Sequence, residues 1–343
     1  YQYYISERKD QVYAGFKKGR KASKNDIPPA TQLFTPSWIV RYMMDNSLGR
    51  LWLESRPQSE LRPRMEYYID EAEQDPEVRA ELESLTRKNV DPSQVTVIDP
   101  ACGSGHILVY AFDLLYEMYL EAGYPATDIP RMVLERNLYG LDIDERASQL
   151  ASFALMMKAR EKDPQIFAKG IRPHVLAIKE SNAASREIQA GLLSIVEPAD
   201  RPSCAEALDY LVRVFHDASE YGSLVRVDDM GFSWISQAAT ELRNAALEAG
   251  GAFRLADGEI LGLNDLDNQI DLLLALVRQA QVMAGKYDVV VTNPPYLGDR
   301  NMNITIKAYL QKHYRDEKGN LFAAFMARCL DLCGSACFFA AVT

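Results

Sequence analysis

The chain has 343 residues, 48% of them hydrophobic, and a formal net charge of −10. That length carries one large α/β domain with additions, or two domains. The acidic balance argues against nucleic-acid binding over the whole surface, though it leaves room for a local basic groove. No apolar run approaches the roughly 20 residues of a membrane span, so no membrane partner is expected.

The chain opens on Tyr1-Gln-Tyr-Tyr-Ile-Ser-Glu-Arg-Lys-Asp10, with neither an initiating Met nor a signal peptide. It ends on Ala336-Cys-Phe-Phe-Ala-Ala-Val-Thr343, which reads as a strand cut at its end. Both ends suggest a piece of a longer protein. Residues 1–28 interleave Arg8, Lys9, Lys17, Lys18, Arg20, Lys21 and Lys24 with tyrosines and Phe16. This stretch reads as a solvated helix and a loop ending at Pro28-Pro29, or else as a phosphate-contacting arm.

Phe34-Thr35-Pro36 follows, with Thr35 placed as an N-cap and Pro36 as the first helical residue. Ile39, Val40, Met43 and Met44 then give a helical apolar face. Residues 54–94 are charged and broken by prolines. Within them Asp75-Pro76 predicts the start of a surface helix running to Asn89.

Val95 to Ile98 predicts a buried strand, with Asp99 at its carboxyl end. Pro100-Ala101-Cys102-Gly103-Ser104-Gly105 then makes a glycine turn into a helix over 106–119, with apolar residues at 107, 108, 111, 112, 114, 115 and 118. Strand, glycine turn and helix form a nucleotide-type site. A carboxylate at that strand end would repel a pyrophosphate but hold a cationic amino group. His106 reads as a first-turn helix residue, not a base.

Asn137 to Asp144 predicts the next strand, ending in acid, with Asp142 closing its apolar run. An acid there is the expected partner of ribose hydroxyls, which favours Asp142 and leaves Asp144 as the N-cap of the following helix. His174 to Ile178 predicts a third strand, followed by the polar Glu180-Ser181-Asn182, a candidate contact for a base ring. Residues 183–285 read as a helical insertion packed on the sheet edge. Its helices are expected over 208–214, 233–249 and 260–283, with a break at Gly250-Gly251.

Tyr287 to Thr292 is apolar and β-branched and stops at Asn293-Pro294-Pro295-Tyr296. Neither proline can donate a backbone hydrogen bond, and Asn293 is pushed toward an extended conformation by the proline after it. The result is a stiff loop at the carboxyl end of a buried strand, where open α/β sheets bind ligands. Helices over 304–314 and 320–332 and a strand over 335–342 complete the chain. Cys329, Cys333 and Cys337 share a spacing that places them along one apolar stripe, with Cys337 beginning the strand and no His in ligand spacing. No metal is expected. Reduced, buried thiols suit a cytoplasmic protein.

Taken in order, Phe34-Thr35-Pro36, strand-Asp99-Pro-Ala-Cys-Gly-Ser-Gly105-helix, strand-Asp142 and strand-Asn293-Pro-Pro-Tyr296 resemble the amino-methylating DNA methyltransferases that use S-adenosylmethionine. The cofactor half precedes the catalytic half, which is the gamma-class, adenine-specific order. Within that class, Tyr1 to Asp10, Ala30 to Tyr42, Asn46 to Trp52 and Ile107 to Glu117 resemble the adenine methyltransferases of BREX phage-defence systems, nearly from end to end.

The resemblance implies an α/β, Rossmann-like methyltransferase sheet with helices on both faces, plus helical N-terminal and inserted segments. Its remaining strands and target-recognition domain would lie outside this chain. It implies an N-terminal segment over 1–94, a cofactor half over 95–182, an insertion over 183–285 and a catalytic half over 286–343. Phe34, Thr35 and Pro36 would border the cofactor's methionine end. Asp99 would face its amino group, and Ala101, Gly103 and Gly105 would let backbone approach. Asp142 would take the ribose hydroxyls and Ile143 would pack on the adenine.

Asn293, next to both cofactor and target, would accept from the target's exocyclic amine, as would the Pro294 carbonyl. Pro295 would stiffen the loop, and Tyr296 would stack on the base. The implied partners are double-stranded DNA with a flipped adenine and other BREX defence subunits. Two alternatives stay open: a methyltransferase acting on RNA or protein glutamine, and a non-catalytic DNA-binding or assembly subunit. A fused endonuclease has no paired-carboxylate and lysine signature here.

Overall fold

The computed structural model describes residues 2–248, 252–254 and 260–343. Seven strands are present among them: β1 (Val97–Asp99), β2 (Leu138–Asp142), β3 (His174–Ala177), β4 (Ala252–Arg254), β5 (Ile260–Gly262), β6 (Tyr287–Thr292) and β7 (Cys333–Ala341). Five of them form a sheet in the order β3-β2-β1-β6-β7, and every pairing in it is parallel. The other two form an antiparallel hairpin.

Parallel strands need covering on both faces, which is why β1 opens on Val97-Ile98 and β6 runs through Val289-Val290-Val291. Val97, Ile98, Val289, Val290 and Val291 are all fully buried. The apolar positions of the helix His106–Glu121 pack beside them, with Leu108, Phe112 and Leu115 withdrawn completely from water. Each such burial stabilises by about 1.5–3 kcal/mol. This is the expected doubly wound, Rossmann-like class.

Strand order decides where a ligand goes. From β1 the chain winds outward through β2 and β3, then returns to the other side of β1 as β6 and β7. The reversal falls between β1 and β6, and the crevice beyond their carboxyl ends is the binding position of such sheets. Ile98 pairs with Val290, so Asp99 and Thr292 close neighbouring strands at the same rim.

The chain divides into two compact units, Tyr1–Ala177 with Lys286–Thr343, and Ile178–Gly285. The second contains the helices Arg186–Ile195, Arg201–Val214, Ser233–Glu248 and Leu263–Ala284. Ile260–Gly262, expected to begin a helix, instead pairs with Ala252–Arg254. A short apolar run does not distinguish helix from strand. The expected break at Gly250-Gly251 lies outside the described residues, as does the last position of the helix expected over 233–249. Ser181 and Asn182 are not free to meet a base. Ser181 is buried with its hydroxyl on the Val212 carbonyl, and the Asn182 amide donates to Asp217 within the same unit.

Three further expectations are corrected. Pro28 and Pro29 sit inside a short helix, Ile27–Thr31, where proline suits the first turn. The helix begun at Pro76 ends at Leu85, since it buries no side chain to sustain it further. The cysteines share no helical stripe, because Cys329 lies on the helix Leu321–Leu332 while Cys333 already begins β7. Among the described residues, no helix is long and apolar enough to cross a membrane.

Candidate active site

The turn after β1 is built by two acids. Asp99 is 1% exposed. Its Oδ1 accepts from the Ala101 amide at 3.1 Å and from the Thr292 hydroxyl at 2.8 Å, which ties β1 to β6 at the rim. Burial pushes the Asp99 carboxyl up to about 7 against the pull of those two bonds, with nearby Asp142 adding to the rise. Asp142 accepts from the Gly103 amide at 2.8 Å through Oδ2 and from the Asp144 amide at 2.7 Å through Oδ1. Burial raises it to about 6, with the amide bonds opposing. Asp144 caps the helix Glu145–Lys162 by accepting from the Arg146 amide at 2.9 Å, as expected.

The two glycines of the turn do different work. Gly103 has φ of 53° and Gly105 has φ of 86°, both in the left-handed region. A Cβ on Gly103 would meet nothing within 4 Å, so this backbone is open to a ligand. A Cβ on Gly105 would lie 2.8 Å from the Ala151 side chain. Gly105 therefore lets two helices pack closely.

At the end of β6, the Asn293 amide nitrogen donates to the Thr35 hydroxyl at 3.0 Å. This bond corrects the expected role of Thr35. The helix begins at Ser37 with Pro36 as its cap residue, and its first amides bond the Pro36 carbonyl. Thr35, 8% exposed, orients Asn293 instead. With its nitrogen held, the Asn293 side-chain oxygen Oδ1 is fixed in direction, is itself buried, and has no hydrogen-bond partner among the described residues. Tyr296 lies stacked on Phe322, with ring centres 5.5 Å apart and planes 8° from parallel. Its hydroxyl donates to the Val342 carbonyl at 2.7 Å.

A cavity of about 750 Å³ opens at this rim. Phe34, Thr35, Asp99, Ala101, Gly103 and Asn293 line it, which brings together six of the expected site residues from three separate segments. Pro36, Gly105, Asp142, Ile143, Pro294, Pro295 and Tyr296 are not on its wall. Asp142 acts on it through the Gly103 amide, and Tyr296 through the loop that carries Asn293. Such a volume falls within the range for cofactor-sized ligands.

The model of the Eco57I restriction-modification methylase family matches residues 136–343. The chain belongs to that family. The MmeI DNA-methyltransferase domain model matches residues 71–190 as well. It is 38% identical over 349 aligned positions to the adenine-specific methyltransferase BrxX of Escherichia coli O9:H4 (strain HS), covering 97% of this chain and 27% of that protein. It is 35% identical to the adenine-specific methyltransferase PglX of Lacticaseibacillus casei (strain Zhang), covering 100% of this chain and 27% of that protein. The chain thus spans about a quarter of the length of these curated relatives. A cryo-EM structure of a DrdV–DNA complex aligns over 88% of this chain and 19% of that one, at 14% identity and a TM-score of 0.38.

Several wall residues of the cavity carry no assignment from the sequence. Lys9 and Gln32 reach the cavity from the N-terminal segment. His106 meets Phe34 edge-on, with ring centres 5.0 Å apart. Leu150 and Phe153, on the helix Glu145–Lys162, line the cavity and stay 39% and 61% exposed. That exposure, on a helix whose Ala147, Ala151 and Leu155 are buried, marks a wall and not a core. Thr292 carried no sequence signal beyond being last in an apolar strand.

Proposed function

We propose that the chain is the catalytic part of an S-adenosylmethionine-dependent DNA methyltransferase acting on the exocyclic N6 amine of a flipped adenine. One observation carries the reading: Asn293 Oδ1 is a buried, oriented acceptor with no hydrogen-bond partner among the described residues, on a residue that lines a cavity together with the buried acid Asp99. An acceptor left unpaired in the interior costs about 1–3 kcal/mol. A ligand N–H would recover that cost. The donor set also suits the methyl donor, with an acid for an ammonium, an open glycine backbone and an aromatic rim at Phe34.

When bound, S-adenosylmethionine supplies an electrophilic methyl group on its sulfonium. The remaining work falls to the chain. Asp99 holds the amino end. Asp142 has further lone pairs beyond the two amides it accepts from, and these take the ribose hydroxyls. Ile143 packs on the adenine, and Phe34 and Pro36 border the methionine end. Asn293 Oδ1 accepts one hydrogen of the target amine and the Pro294 carbonyl accepts the other, which directs the nitrogen lone pair. Pro295 keeps that carbonyl in place.

Catalysis then comes from positioning and fixed dipoles, with no strong base needed. One face of Tyr296 is taken by Phe322, so the target base stacks on the other. Extrusion costs a few kcal/mol, and stacking returns roughly 1–3 kcal/mol of it. The names of the relatives and the resemblance to BREX methyltransferases support host DNA modification in phage defence, alongside other defence subunits.

The test is transfer of tritiated methyl from S-adenosylmethionine by the full-length protein to duplex DNA, RNA and protein in parallel. Label in adenine of DNA supports the reading. Label confined to RNA or protein would remove DNA as the substrate.

A further inference from the structure

The cavity's N-terminal wall has no assigned role. The helix Gln2–Lys17 brings Ile5, Ser6 and Lys9 to it, on a lining that also holds Gln32 and Asp99. Lys9 is half-buried there, and its Nζ donates to the Gln32 backbone carbonyl at 2.9 Å. An ammonium has three donors, and this bond uses one. Among the described residues Lys9 makes no salt bridge, whereas Arg20 of the same basic segment is spent on Asp26 at 2.8 Å. Beside it, Gln32 Oε1 is buried and has no hydrogen-bond partner among the described residues. Among the described residues lining the cavity, the Lys, Arg, Asp or Glu side chains are those of Lys9 and Asp99, and they carry opposite signs.

A ligand that satisfies this wall must present an anion to Lys9 and a hydrogen-bond donor to Gln32. An α-amino acid carries both on one carbon. We propose that Lys9 and Gln32 grip the α-amino-acid end of the methyl donor, Lys9 through its carboxylate and Gln32 Oε1 through its ammonium. The inference rests on the methyl-donor reading above and adds to it. The N-terminal helix is part of the cofactor site, and Lys9 is a specificity residue that selects donors bearing a carboxylate. An ammonium–carboxylate contact is a charge-assisted hydrogen bond, the stronger kind, and it is less screened inside a cavity than at an open surface.

The test is calorimetric titration of the full-length protein with S-adenosylmethionine and with its decarboxylated analogue, which keeps the amine and lacks the carboxylate. The wild type should bind the complete donor at least about tenfold more tightly. Lys9→Met keeps the aliphatic stem, so it should lose that preference by weakening the complete donor and leaving the analogue unchanged. Gln32→Leu should weaken both ligands alike, since both carry the amine. Lys9→Met binding the complete donor as well as wild type, or losing both ligands equally, would overturn the inference while leaving the methyl-donor reading standing. A wild type that binds neither ligand would overturn that reading, and this inference with it.

Discussion

The bond between Thr35 and Asn293 offers the sharpest perturbation. Thr35→Val keeps the shape of the side chain and removes the hydroxyl that accepts from the Asn293 amide at 3.0 Å. Both groups sit at a site closed enough that Thr35 is only 8% exposed. The orphaned amide then costs about 1–3 kcal/mol, or recovers part of that by turning away. Either way Asn293 Oδ1 loses its fixed direction. If that direction matters only when the target amine is held for transfer, the cost falls on the chemical step. At about 1.4 kcal/mol per tenfold, kcat drops roughly 5- to 150-fold.

The assay is steady-state methyl transfer to duplex DNA, with S-adenosylmethionine affinity measured separately. Thr35→Val should lower kcat with KM for DNA nearly unchanged, and Thr35→Ser should restore most of the rate. A Thr35→Val enzyme within twofold of wild type would refute the positioning role. Equal loss of rate and cofactor binding would mean that Thr35 serves the cofactor instead.

Other outcomes follow from Asp99 and the two glycines of the turn. Asp99 titrates near the ordinary carboxylate value of 3.8 when unfolded and at about 7 when folded. The folded state therefore holds an extra proton between those pH values, and stability falls as pH rises through that window. At 1.36 kcal/mol per unit the full cost above pH 7 is on the order of 4 kcal/mol. Asp99→Asn should accordingly raise Tm at pH 8 and leave it unchanged at pH 4, while losing cofactor affinity. An unchanged Tm at both pH values would sink the claim of a strained buried carboxylate.

In the wild type, pairing with an ammonium needs Asp99 ionised, so cofactor affinity measured by calorimetry should fall about tenfold per pH unit below 7 and level off above. A flat profile from pH 6 to 8 would contradict this. Gly105→Ala should lower Tm sharply, because its Cβ would stand 2.8 Å from Ala151 on a left-handed backbone. Gly103→Ala has open space, so it carries only the left-handed backbone strain of roughly 1–2 kcal/mol and should lower Tm less than Gly105→Ala while weakening cofactor binding. If thermal melts ranked the two variants the other way, the division of labour in the turn would be wrong.

The strand ends were legible because the signals that make them are local. An unbroken apolar run followed by Asp99, or by Asn293 and two prolines, announces both a buried strand and a polar rim. Sheet order then brings the two rims together, and the alternation of strands and helices along the chain anticipates that. What stayed hidden depends on partners far along the chain. Thr35 before Pro36 carries the signature of a helix cap, and only Asn293, 258 residues away, reveals that its hydroxyl is used elsewhere.

Gly105 reads like Gly103 until Ala151 is found against it. Lys9 is one of several basic residues in a polar helix, and nothing local separates it from the solvated ones. Leu150 and Phe153 follow the helical period of a core face, but the surface they cover is a cavity wall. Ile260–Gly262 failed for a simpler reason. Three residues show no period, and the strand they pair with supplies the structure.

The central claim is that Asn293 Oδ1 is the acceptor that holds a target adenine amine. The most direct measurement is mass-spectrometric quantification of N6-methyladenine in DNA from cells expressing the full-length wild type or its Asn293→Ala variant, paired with S-adenosylmethionine titration of both purified proteins. The account predicts N6-methyladenine above background for the wild type only, with cofactor affinity within a few-fold for both. Methylation persisting in Asn293→Ala, or cofactor binding lost together with methylation, would contradict it.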